Sequence, residues 1–193
     1  MIVWTIQPLR LYEKLLGQGV LCCGQQSEGL CGPYAQEISA SNWLAGQMKL
    51  RVGAPPPGVQ YPFWGWALID GLSKKPDLRR KEFNNYVGEN VVLELEIPDN
   101  GLLLFDEVNW HYVLNGWYLN DSSDEEDEWD EGDACLDSLS PDIKDSIKRK
   151  SWEKIFNKDY PDNEWVFVQA TFWELCLEQV KSVQRFSGRG KAN

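Results

Sequence analysis

Three consecutive prolines, Pro55, Pro56 and Pro57, stand between a cationic segment and a dense aromatic one in residues 47–66, QMKLRVGAPPPGVQYPFWGW. Each proline fixes its own φ and restricts the residue before it, so the backbone from Arg51 to Tyr61 is stiff. Gly58 then permits a sharp turn. A turn there carries Arg51 toward Tyr61, Trp64 and Trp66, and a guanidinium beside π-faces suits a phosphate plus an aromatic base. The same residues also read as a Pro-rich loop capped by a core strand.

A chain of 193 residues fills one core and is short for two. The expectation is a single domain over 1–187 with a flexible tail at 188–193. Ten tryptophans exceed ordinary usage, so aromatic surface serves packing, ligand stacking or both. No apolar run nears the roughly 20 residues of a membrane span, and the start lacks a charged segment before an apolar one, which together predict a soluble cytoplasmic protein without a membrane partner. Five cysteines, with Cys22 and Cys23 adjacent, fit neither a disulfide framework nor a CxxC metal pattern, and are expected as reduced thiols. The formal charge is −11, but residues 121–133, DSSDEEDEWDEGD, hold nine acids and no base, leaving the remainder near −2. That segment reads as a solvated loop or as a site for a basic partner. Basic patches at Arg79, Arg80 and Lys81, at Lys148, Arg149 and Lys150, and at Arg185, Arg189 and Lys191 keep nucleic acid open as a partner.

The chain opens with an apolar run, Ile2–Ile6, and then Pro8 at a helix start with Leu9, Tyr12, Leu15 and Leu16 at helical spacing, ended by Gly17 and Gly19. A loop over 22–33 precedes a helical pattern in 34–51. VVLELEI at 91–97 alternates and reads as a half-buried strand, followed by a turn at 98–101, LLLF at 102–105 and an aromatic segment through Trp110–Tyr118. Ser140, Pro141 and Asp142 start a helix bearing Ile143, Ile147 and Ile155. Residues 165–177 and 180–186 read as strands. The fold class is therefore α+β, a mainly antiparallel, split sheet with flanking helices.

His111 is the one histidine, so a multi-histidine metal site and a second histidine in a triad are excluded by count, and no metal is expected. FDEVNWH places Asp106, Glu107 and His111 together after a strand; a packed loop histidine and a site histidine are both consistent with it. No P-loop or GxGxxG occurs.

WTIQP, YPFWGW, KPDLR, LLLFDEVNWHYVLNGWYL and VQATFWELCLEQV resemble a family of small bacterial and phage proteins described only as a domain of unknown function. In order and spacing the same segments are similar to DarT-like ADP-ribosyltransferase toxins. The opening strand and helix, WTIQPLRLYEKLLGQG, matches that family's NAD-binding strand with Thr5 in the polar slot and Gln7 beyond it. Arg51 occupies the arginine before a Pro-Pro-Gly loop, Gln169, Ala170 and Thr171 fill a Gln-Ala-Glu pattern, and Asp106 fills the Asp of a Thr-Asp-x-His segment. The chain departs from the pattern at Thr171, where a glutamate would stabilise the oxocarbenium-like state.

The resemblance implies a toxin or phage-defence effector that binds NAD between two sheet halves and transfers ADP-ribose to RNA or DNA, with an antitoxin or chaperone as a further partner. Arg51 would hold pyrophosphate or acceptor, Tyr61 and Trp64 would stack, Thr5 and Gln7 would bond amide and ribose, and Gln169 with Thr171 would hold ribose hydroxyls, with Asp106 as a substitute carboxylate. A catalytically inactive nucleotide- or protein-binding module is the alternative, since Thr171 suits it directly.

Overall fold

The computed structural model describes residues 1–23, 38–120, 136–158 and 165–190. The acidic segment 121–133 and residues 191–193 lie outside them. The described residues form one α+β unit: β1 (Ile2–Pro8), α1 (Leu9–Gln18), β2 (Val20–Cys22), α2 (Ile38–Arg51), β3 (Phe63–Leu68), β4 (Glu89–Glu96), β5 (Leu103–Asp106), α3 (Glu107–Asn115), α4 (Pro141–Ser151), β6 (Val168–Phe172), β7 (Glu174–Cys176) and β8 (Val180–Ser187).

Six strands make an antiparallel sheet in the order β5-β6-β3-β1-β4-β8, and β2 pairs with β7 in a separate ribbon. Alternation sends successive side chains to opposite faces. Val3, Phe63, Val91, Leu93, Leu95, Ala170 and Phe172 face α1 and the ribbon, meeting Leu11, Leu15, Leu21 and Leu175 in one buried cluster. The opposite face carries two clusters side by side. One joins Leu103, Phe105 and Trp64 to α2, α3 and the 3-10 turn Trp152–Phe156. The other gathers Trp4, Ile6, Val92 and Trp66 around Phe83.

The halves of the sheet meet at a thin seam. β1 pairs with β4 along all of Ile2–Pro8, whereas its register with β3 is the single pair Trp4↔Trp66. Gly65 permits the approach, since a Cβ there would lie 2.4 Å from Val3 Cγ1 and 3.0 Å from the Trp4 carbonyl oxygen. On the other side of β3 the register with β6 slips between Trp66 and Leu68, a bulge that bends the strand beside the seam.

Three expectations are corrected. The 165–177 stretch is not one strand: β6 ends at Phe172 and β7 leaves for the ribbon, because Trp173 turns inward and its Nε1 donates to the Gly53 carbonyl at 3.0 Å. Cys23, expected as a thiol, is fully buried and disulfide-bonded, while Cys22 and Cys176 are free. Residues 188–190, expected to start a flexible tail, are tied back by hydrogen bonds to Gly88, Asn84 and Tyr86. No described helix is long and apolar enough to cross a membrane.

Candidate functional site

A cavity of about 150 Å³ opens at the β1–β3 seam, reached by Trp64 of one second-face cluster and by Ile6 and Trp66 of the other. β1 lines it with Thr5, Ile6 and Gln7, β3 with Trp64, Gly65 and Trp66, and β6 with Gln169. Glu107, the first residue of α3, and Glu82 and Tyr86, from the connection before β4, complete the wall.

The seam explains why polar β1 side chains are buried here. With little backbone pairing to β3, the Thr5 hydroxyl donates across the gap to the Trp64 carbonyl at 2.6 Å, and Gln7 Nε2 donates to Thr5 Oγ1 at 2.7 Å. Both residues are less than a twentieth exposed. Gln169 is 6% exposed, and its Oε1 is buried without a hydrogen-bond partner. A buried amide oxygen left unpaired costs about 1–3 kcal/mol. Its position on the cavity wall makes it the acceptor that a bound donor would satisfy.

The aromatic walls are held rigidly. Trp64 packs on Phe105 and Trp110 at centroid distances of 5.4 and 5.2 Å, and Trp66 packs edge-on to Phe83 at 5.4 Å. Two carboxylates face this aromatic space. Glu107 Oε1 lies 3.4 Å from His111 Nε2, one helical turn on, and this hydrogen bond raises the His111 pKa above its ordinary value against the opposing effect of burial. Glu82 takes a hydrogen bond from Arg80 Nε at 2.7 Å. Its carboxyl is pulled below the usual range, first by its own backbone N–H and then by Arg80. None of the ten lining residues is cationic.

Thr5, Gln7, Trp64 and Gln169 are thus brought together, and the other expected site residues are not. Arg51 ends α2, gives its Nε–H to Gln47 at 2.9 Å and lies 4.5 Å over the Phe156 ring. Phe105 and Trp64 intervene between that ring and the cavity. The stiff bend at 55–57 therefore does not deliver Arg51 to the seam; the guanidinium finds an aromatic partner on α2's side of the sheet first. Tyr61 gives its hydroxyl proton to Asn42 Oδ1 at 3.2 Å. It packs against the cluster under α1.

Thr171 shares a strand face with Gln169 but lies deeper, fully buried, its Oγ1 3.2 Å from Met48 Sδ and 3.4 Å from the Leu103 carbonyl. Asp106 caps α3, accepting from the Asn109 N–H at 2.8 Å, and is buried away from the cavity wall. His111 meets the site through Glu107 alone among the described contacts. Sequence reasoning passed over Glu82 and Tyr86 as site residues. Neither carries a local signal, because a loop folded over from beyond β3 brings them to the seam. Glu107 could have been found: a residue directly after an Asp N-cap opens the first turn, where side chains look back along the preceding strand.

With this geometry in view, comparison with known proteins decides one question. The chain belongs to the family described as a domain of unknown function, DUF3841. Residues 2–181 match it, so the whole sheet except residues 182–187 of β8, and every cavity-lining residue, falls within the family's span. No curated protein and no solved structure matches. Among the described residues no cluster of three or more His, Cys, Asp or Glu is arranged to hold a metal ion.

Proposed function

We propose that the chain is an NAD-dependent ADP-ribosyltransferase, acting as a toxin or phage-defence effector, that takes the nicotinamide ribose end of NAD at the β1–β3 seam and transfers ADP-ribose to a nucleic acid. One observation carries the reading: Thr5, Gln7 and the unpartnered Gln169 Oε1, brought together from β1 and β6, line the same cavity. A carboxamide N–H satisfies the orphaned oxygen. Trp64, Trp66 and Tyr86 offer π-faces, and Glu107 favours a ring that bears positive charge, as oxidised nicotinamide does, whereas Glu82 is already paired with Arg80. At about 150 Å³ the cavity takes one ring, below the roughly 300–1,000 Å³ of a site for a drug-sized ligand, so the remainder of the dinucleotide lies outside it.

In the transfer, the bond between ribose C1′ and the nicotinamide nitrogen breaks and nicotinamide leaves with the electron pair. A nucleic acid nitrogen or oxygen bonds to C1′ and gives up its proton to solvent water. Positive charge developing at C1′ calls for a nearby carboxylate. Thr171 cannot supply one, and Glu107 takes that role here in place of Asp106. Arg51 has no part in it. Basic residues Arg79 and Lys81, in the segment leading to the cavity's Glu82, suit a polyanionic acceptor.

Burial of Thr171 between Met48 and Leu103 favours a second reading, a nucleotide-binding module without catalysis. Incubation with labelled NAD and mixed RNA and DNA separates the two. Label transfer that drops at least 100-fold in Glu107→Gln, with NAD still bound, is the expected result. Binding without nicotinamide release supports the module. Absence of any NAD affinity sinks both.

A further inference from the structure

Tyr86 stands on the cavity wall in a connection, residues 84–88, that a second and sequence-distant segment grips. The Gly188 N–H donates to the Gly88 carbonyl at 2.9 Å, the Gly190 N–H to the Tyr86 carbonyl at 2.9 Å, and the Arg189 N–H to both the Asn84 carbonyl at 2.9 Å and Asn84 Oδ1 at 3.1 Å. Phe186 packs edge-on to the Tyr86 ring, 6.5 Å between centroids. The approach is too close for side chains. A Cβ on Gly188 would fall 2.0 Å from the Tyr86 carbonyl oxygen, and one on Gly190 would fall 2.9 Å from the carbonyl oxygens of Asn85 and Tyr86. Neither glycine has a left-handed φ, so proximity and not backbone conformation is what demands them. Asn84 is buried and its amide donates to the Leu78 carbonyl, which ties the same grip to the segment that leads to Glu82.

We propose that residues 186–190 form a backbone clamp that positions Tyr86, and through it the ligand-binding shape of the cavity, with Gly188 and Gly190 as the positioning residues that permit it. This rests on the cavity being a ligand site. It goes beyond the transferase reading by making affinity depend on a segment that lines no part of the cavity.

The test uses the full chain with Gly188→Ala, the milder Gly190→Ala in case the first does not fold, and Gly46→Ala as a control, since a Cβ there meets nothing within 4 Å. Three quantities are read: amide hydrogen exchange at 188–190, the fluorine resonance of Tyr86 in fluorotyrosine-labelled protein, assigned by its loss in Tyr86→Phe, and NAD affinity by calorimetry. The clamp variants should exchange at least 10-fold faster at these amides, shift the Tyr86 resonance and bind NAD at least 10-fold more weakly, while Gly46→Ala changes none of the three. Unchanged exchange and an unmoved Tyr86 resonance overturn the clamp whether or not NAD binds. A released segment with unaltered NAD affinity overturns its positioning role. If the parent protein binds no NAD, the transferase reading falls and the clamp is still decided by the exchange and fluorine arms.

Discussion

The pairing of His111 with Glu107 gives the site a measurable pH signature. Because the hydrogen bond from the imidazole to Glu107 raises the folded-state pKa, protonated His111 contributes stability that is fully present below the unfolded value of about 6.5. That contribution is lost as pH climbs through the raised folded value. Above it the Glu107 carboxylate is released from its cationic neighbour, so a positively charged ring should bind the cavity more tightly there. With a single histidine in the chain, one NMR titration reports this group alone. In Glu107→Gln the midpoint should fall back toward the ordinary histidine value; a midpoint that stays raised would show that another group holds the proton. At this scale Thr5, Gln7 and Gln169 are singled out by the family resemblance. What one residue cannot reveal is whether its amide is satisfied, and only the packed structure exposes Gln169 Oε1 as unpaired.

Among elements, the seam between β1 and β3 is the deciding feature. Gly65→Ala should destabilise the protein by about 1–3 kcal/mol through overpacking, because the new methyl meets the Val3 side chain and the Trp4 backbone and neither has room to yield. Chemical denaturation checks the size, and a loss under about 0.5 kcal/mol would mean that β1 and β3 are not held as closely as described. The alternation of β4 and the helical spacing of α1 were both legible, since each is a local periodicity that one amphipathic face imposes. The break at Trp173 was not. A continuous β-prone run carries no mark of the residue at which a strand changes sheets, and here the Trp173–Gly53 hydrogen bond makes that choice.

At the level of the whole molecule, two aromatic clusters share one sheet face and both reach the cavity, one through Trp64 and the other through Trp66, while Arg51 lies over Phe156, a residue that does not line it. Arg51→Ala is therefore expected to leave NAD affinity and transfer within twofold of the parent and to cost about 0.5–1 kcal/mol of stability through loss of the contact with Phe156. A tenfold loss of transfer without loss of stability would return Arg51 to the site. The sequence by itself determined the α+β class, the single domain and most strands and helices, because periodicity and turn chemistry act over a few positions; Thr5, Gln7 and Gln169 came into view through the family resemblance instead. Tertiary structure alone decided which strands lie side by side, that β1 and β3 scarcely pair, and that Glu82 and Tyr86 join them while Arg51, Thr171 and Asp106 do not. Alternation says which face a side chain takes, but its neighbour across a sheet is set by long-range pairing, and no local pattern encodes that distance.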